Sequence, residues 1–408
     1  SRRGPYAAFS RPKRARGVTA AEVARYPEHG PVARAFLAYE RALAGAGAMD
    51  VYDLVAGALR ALGADPALLG RWRARCAHLL VDEVQDVDRS QLELALLLAA
   101  PSNRIFLVGD DDQSIYGWRL ADVRRVLGLA ARLPGLRRVD LEVNYRCPAP
   151  VLERAVRLVE HNEERFAKAI RAGPGATGRL VLAPRAPGAA DAGAGDATVS
   201  RLLGAWPADG SSRAVLARTR RELLPAVAAC LAGGVPFRAD GVPLPLDDPR
   251  LDGLLAGAEA DPRNLPIAAR LASLRGSRAE TAAAAGTGAA DDASKDPAIS
   301  TPALPDPEPA GTLDELRAAL VGWAVRLGPG ADLRAAVDAA RQRLATLRCA
   351  DAALTLATAH ATKGLEWDHV AVLGMTEGRF PSARSLREAA DPARALEEER
   401  RLAYVAWT

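Results

Sequence analysis

The 408-residue sequence predicts an α/β protein with two parallel-sheet domains, the first incomplete, carrying helical insertions. Three observations predict this. The chain is longer than one hydrophobic core usually serves, and at about 150 residues per domain it holds two or three. Its composition, 49% hydrophobic and 25% charged, is that of a globular protein and too apolar for wholesale disorder. Short apolar strands alternate with helix-period stretches in two separate regions, the pattern of parallel sheets with right-handed crossovers.

From Pro31 to Cys76 apolar residues recur at helical spacing, so this part reads as a small helical region. The period then changes. HLLVD (78–82) is a strand, SQLELALLLAA a helix, RIFLVGD (104–110) a strand, the stretch from Ala121 a helix, LRRVDLE a strand and PVLERAVRLVEHN a helix. A second series runs through strands RLVLAP (179–184) and RAVLART (213–219), helix ELLPAVAACLAG, and strands VPFRAD, ALTLAT (353–358) and HVAVLGM (369–375). After RLVLAP, residues 188–196 read as a flexible loop. Residues 275–312 are poor in large apolar side chains and rich in Ala, Gly, Pro and Asp, so they read as a linker.

The formal charge of +4 permits a polyanionic partner without requiring one. Cys76, Cys147, Cys230 and Cys349 are far apart with no CxxC pair, which points to neither a zinc site nor a disulfide framework. No apolar run approaches the roughly 20 residues that cross a bilayer, and the basic N-terminal stretch has no apolar core behind it. A cytoplasmic protein without a membrane partner is expected. A first residue other than Met and an end inside an apolar helical pattern read as a chain cut from something longer.

Chemistry concentrates where strands end. LLVDEVQD (79–86) closes a buried strand with two adjacent carboxylates, Asp82 and Glu83, at the carboxyl edge of a parallel sheet, where ligands bind in such folds. One acid can hold a magnesium ion through its water shell while the other activates a water for phosphoryl transfer. The next strand ends at Gly109 and continues into three aspartates and Gln113, whose amide can sense a terminal phosphate. Tyr116 and Trp118 interleave with Arg119, a combination suited to stacking an unpaired base.

These segments resemble the motifs of superfamily-one DNA helicases of the UvrD, Rep and PcrA type. The acid box is DEVQD at 82–86, the coupling motif GDDDQSIYGWRLAD at 109–122, and NYRC at 144–147 stands where the family has NYRS. TAHATKGLEW (358–367), the run from Val370 to Ser382 and EEERRLAYVAWT (397–408) follow in family order, with smaller echoes in MDVYDLV (49–55) and NEERFAKAI (162–170).

The resemblance implies an ATP-dependent helicase that moves 3′ to 5′ on single-stranded DNA and splits duplex DNA, serving repair or replication, with ATP and Mg²⁺ as cofactors and repair proteins as further partners. By matching, Asp82 would bind the magnesium ion and Glu83 would activate water. Gln113 would contact the γ-phosphate, Arg146 would grip it, Tyr145 would stack on adenine and Glu366 would hold the ribose. Trp118, Tyr116, Arg119, His360 and Lys363 would serve the DNA side.

The resemblance also implies two RecA-like domains. Residues 1–77 would form a helical subdomain inserted in the first motor domain, and 78–143 the remainder of that domain. Residues 144–244 would begin the second motor domain, 245–350 would be a shortened inserted subdomain with a flexible linker, and 351–408 would complete the second domain. The family's GxxxxGK[ST] phosphate loop does not occur in these 408 residues, and the arginine that follows Thr408 in the family's last motif is likewise not among them. Residues 1–408 alone are therefore expected not to hydrolyse ATP. Two alternatives stay open: a relative that binds DNA or a partner without hydrolysis, and the motor part of a helicase-nuclease. Leu120, Cys147 and Trp367 replace the family's usual Gly, Ser and Phe.

Overall fold

A computed structural model describes residues 30–183, 194–274 and 313–408, apart from positions 208 and 243. The expected linker at 275–312 and most of the loop at 188–196 lie outside the described residues. The chain divides into two compact units, one of residues 1–181 with 380–408 and the other of residues 182–379.

The first unit begins with three helices, α1 (Gly30–Gly45), α2 (Val51–Ala64) and α3 (Pro66–Arg75). Phe36 and Leu62 are buried, and Tyr39 donates to Asp50 at the start of α2 (2.9 Å). Asp65 caps α3 through the backbone N–H groups of Ala67 and Leu68, with Pro66 in the first turn where it costs no hydrogen bond. Strand β1 (Leu79–Val81) then pairs in parallel with β2 (Ile105–Leu107), Leu80 opposite Phe106. Helix α4 (Arg89–Ala99) makes the crossover, opened by a capping box in which Asp88 and Gln91 satisfy each other's backbone N–H.

Strand alternation decides what this sheet buries. Val81, Ile105 and Leu107 face Val84, Leu92, Leu129 and Leu133, whereas Leu80 and Phe106 point to the other face and are exposed. Helices α5 (Val123–Leu127) and α6 (Leu129–Arg132) follow. A second parallel pair is formed by β3 (Val143–Asn144) and β4 (Arg171–Ala172). Between them, α7 (Ala149–Val159) buries Leu152, Ala155 and Val159 along one stripe. After a return to this unit come α14 (Ala383–Glu388) and α15 (Pro392–Trp407); Tyr404 and Trp407 of α15 pack on Ala155 and Val159.

In the second unit α8 (Ala194–Ala205) precedes β5 (Arg213–Ala217), the middle strand of a three-stranded parallel sheet flanked by β6 (Leu354–Thr358) and β7 (His369–Val372). Residues 214–217 of β5 are all buried, as expected of a central parallel strand covered on both faces. Helix α9 (Leu224–Gly233) packs Ala226 and Cys230 onto Val215, Phe237 and Leu356. Helices α10 (Arg250–Glu259), α11 (Ile267–Ser273), α12 (Leu313–Leu327) and α13 (Leu333–Leu347) share a core of Leu251, Leu254, Leu255, Leu271, Leu320 and Val337.

Three expected strands differ. In LRRVDLE only the end is used: the ladder begins where Arg171 N donates to Glu142 O (2.8 Å), and Val139 and Leu141 are exposed. The described part of RLVLAP has no regular structure, and Val181 and Leu182 face solvent. VPFRAD contributes isolated bridges, Phe237 to Arg348 and Arg238 to Thr355, because the chain leaves the sheet edge after two residues.

Candidate active site

The carboxyl ends of β1 and β2 lie side by side, and the residues that leave them are tied together by one buried glutamine. After Val81 the chain passes through Asp82 and Glu83 into a 3₁₀ turn, Val84–Asp86. Glu83 takes the left-handed conformation (φ 52°), rare for a side chain of its size, and its N–H donates to Asp82 Oδ1 (2.9 Å). Both acids are exposed. Gln85 is buried: its Oε1 accepts from Asp110 N (3.1 Å) and its Nε2 donates to Glu83 Oε2 (2.5 Å). A Cβ at Gly109 would stand 2.2 Å from Gln85 Oε1 and 2.9 Å from Val84 Cγ1, so the close approach of the two strand tips requires glycine there. Gln113 Nε2 donates to Asp110 Oδ2 (2.9 Å). Asp82, Glu83 and Gln113 therefore belong to one hydrogen-bonded patch.

Behind that patch sits a charged cluster whose partners come from the 162–170 stretch. Lys168 Nζ lies 2.5 Å from Asp110 Oδ1, 2.6 Å from Asp111 Oδ1 and 3.1 Å from Asp112 Oδ2. Arg165 grips Asp112 with two donors (3.0 and 2.8 Å), and Phe166 N donates to Asp111 Oδ2 (2.8 Å). Asp112 is fully buried. Burial alone would raise its pKa, but hydrogen bonds from Arg165 and the charge of Lys168 prevail and hold it below the usual aspartate value. Lys168 is the converse: burial opposes its charge, yet the three carboxylates keep its pKa above the ordinary lysine value.

The aromatic residues follow directly. Tyr116 and Trp118 meet edge to face at 6.2 Å, and the Arg119 guanidinium lies 4.8 Å from the Trp118 ring and 5.4 Å from that of Tyr116. Trp118 is 62% exposed. Helix α15 holds the turn beneath: Glu398 Oε1 accepts from Gly117 N (3.0 Å), and Arg394 pairs with Asp122. A Cβ at Gly117 would come within 2.7 Å of the Glu398 carboxylate. Burial raises the Glu398 pKa, and the Gly117 hydrogen bond only partly offsets it.

Tyr145 and Arg146 leave the end of β3. Asn144 Oδ1 accepts from the N–H groups of Arg146 (2.9 Å) and Cys147 (2.8 Å); Arg146 is exposed and Cys147 buried. Arg146 Nη1 reaches the Thr408 carbonyl at 3.4 Å. Tyr145 lies so near Gly173 that a Cβ there would be 2.7 Å from its ring, and it is 73% exposed. His360, Lys363 and Glu366 belong to the second unit: His360 is in the turn Ala359–Thr362 that leaves the carboxyl end of β6, Lys363 follows it, and Glu366 is exposed on the way to β7.

Gln85, Arg165, Lys168 and Glu398 were not singled out by the sequence reading. Gln85 stood inside the acid box, where attention fell on the carboxylates. Arg165 and Lys168 carried one usable signal, two cations three apart in the NEERFAKAI stretch.

Family models sharpen what this geometry belongs to. Residues 8–134 match the UvrD/REP helicase N-terminal domain, and residues 339–408 match the UvrD-like helicase C-terminal domain. Both stretches carry UvrD/Rep-type helicase domain sequence. Both matches fall on the patch: the N-terminal one holds the acid box and the Gln113 loop, the C-terminal one helix α15.

Among UvrD/Rep relatives, DNA helicase II of Salmonella typhimurium is 37% identical over 135 residues, which are 33% of this chain and 19% of that protein. ATP-dependent DNA helicase PcrA of Staphylococcus epidermidis is 34% identical over 139 residues, 34% of this chain and 19% of its own length. The PcrA of Leuconostoc citreum is 36% identical over 137 residues, 34% of this chain and 18% of its own. The matched stretch spans less than a fifth of each relative.

The UvrD/Rep family implies a magnesium ion, and the donor chemistry fits one. Among the described residues no group of three or more His, Cys, Asp or Glu is arranged to hold a metal. Two neighbouring exposed carboxylates, Asp82 and Glu83, at a sheet edge are the donor type suited to an ion that keeps most of its waters and takes other ligands from phosphate. Among the described residues no helix is long and apolar enough to cross a membrane.

Proposed function

We propose that the full-length protein is an ATP-dependent DNA helicase that moves 3′ to 5′ on single-stranded DNA, in repair or replication. In this reading the parallel sheets of the two units are the cores of two RecA-like domains. The observation that carries it is the Gln85 bridge, which joins the acid box to the Gln113 loop at adjacent strand tips. Two loops with no covalent reason to move together are thereby set in one register, as phosphoryl transfer requires of its water-activating and phosphate-sensing groups.

Glu83 accepts the proton of the attacking water. Its exposed carboxylate is steered by Gln85, and the left-handed backbone turns the chain out of the strand at this position. Gln113 contacts the terminal phosphate, and the loss of that phosphate is passed along the loop to Trp118. Asp82 would hold the magnesium ion, which when bound neutralises phosphate charge. Arg146 presents a planar cation to the same phosphates and Tyr145 a ring face to the base. Glu366 binds ribose. Tyr116, Trp118 and Arg119 form the stacking platform for unpaired bases, and His360 and Lys363 contact the strand.

The test is direction-sensitive strand displacement. With ATP and magnesium, the full-length protein should release the labelled strand from a duplex with a 3′ single-stranded tail and not from one with a 5′ tail. Release from 5′-tailed duplexes only, or release without ATP, would contradict the proposal. Trp118→Ala should weaken single-stranded DNA binding by about 1 to 3 kcal/mol without changing the slope of affinity against salt, because stacking releases no counterions. Fluorescence anisotropy at several salt concentrations reads both.

A further inference from the structure

The cluster behind the aspartate loop is arranged as more than a set of ion pairs. Asp110 is its hub. One carboxylate oxygen takes Lys168 (2.5 Å) and the Asp112 N–H (3.1 Å), the other takes the Gln113 amide (2.9 Å), and the Asp110 N–H donates to Gln85 (3.1 Å), which in turn donates to Glu83. Arg165 already neutralises Asp112 with two donors, and Phe166 N already satisfies Asp111. Lys168 is thus the cation of this cluster that reaches Asp110, and with a side chain only 12% exposed it is fixed in place.

We infer that Lys168 is a positioning residue for hydrolysis: through the Asp110 carboxylate it sets the orientation of Gln113. This rests on the roles proposed above for Glu83 and Gln113. An amide held on one side by a carboxylate points in one direction only while that carboxylate is itself held. Release Asp110 and the amide can swing about its last torsion, which is broad for glutamine. The groups assigned to the base, the ribose and the magnesium ion, Tyr145, Glu366 and Asp82, are untouched, so the change falls mainly on the chemical step and little on affinity.

In the full-length protein, Lys168→Met should lower kcat for DNA-stimulated ATP hydrolysis by about 100-fold. The KM for ATP should stay within about threefold of wild type. On a Gln113→Ala background the same change should cost no more than about threefold further, because the group it orients is gone. Should Lys168→Met not fold by circular dichroism, the same comparisons are made with Asp110→Asn, which keeps the shape and leaves Lys168 paired to Asp111 and Asp112. Wild-type kcat in the variant, an equal loss on the Gln113→Ala background, or a loss confined to KM each overturns the inference. If Glu83→Gln or Gln113→Ala turns over ATP at the wild-type rate, or the wild-type protein does not turn it over, the hydrolytic reading itself fails and the inference falls with it.

Discussion

Glu83→Gln in the full-length protein should cut ATP turnover by about 10³-fold while leaving nucleotide affinity within a few-fold. Glutamine has the size of glutamate, and its amide oxygen can still accept the Gln85 hydrogen bond that fixes the side chain now. What it cannot do is take a proton from water. The strand tips, Asp82 and Gln113 would all remain in place, so the variant isolates general-base chemistry from assembly of the patch. Single-turnover hydrolysis and binding of a fluorescent nucleotide measure the two quantities. Turnover within tenfold of wild type would remove Glu83 from the base role.

The second large effect is on stability. Arg165→Met should lower unfolding free energy by about 3 to 5 kcal/mol, because it leaves the carboxylate of Asp112 buried without its two strongest donors. Urea unfolding checks this, and an unchanged midpoint would show the pair to be energetically idle. The pH dependence has a definite sign. Asp112 has a lower pKa folded than unfolded, so the stability it contributes is fully present above the ordinary aspartate value and drains away as pH falls below it. Lys168, with a raised pKa, contributes below the ordinary lysine value and loses its contribution only as pH climbs past it. Wild type should therefore soften in acid below about pH 4, and Arg165→Met should show less of that softening.

Much of the patch could be read from the chain because its determinants are local. An apolar run ending in Asp82 and Glu83, another ending in Gly109, and a capping box at Asp88 and Gln91 each lie within a few residues of their effects. What escaped was non-local. Lys168 is 58 positions from Asp110, and nothing in either segment names the other. LRRVDLE and RLVLAP carry strand-forming apolar residues, but a strand needs a partner edge, which local composition does not supply. Residues 245–350 read as a shortened subdomain with a flexible linker at 275–312, and the leucines that build the helical core stand on either side of that stretch.

Gly109 has a mechanical consequence. With no room for even a methyl group against Gln85, the tips of β1 and β2 have no slack between them. A larger residue at 109 would press on Gln85 and Val84 and so disturb the contacts Gln85 makes with Glu83 and Asp110.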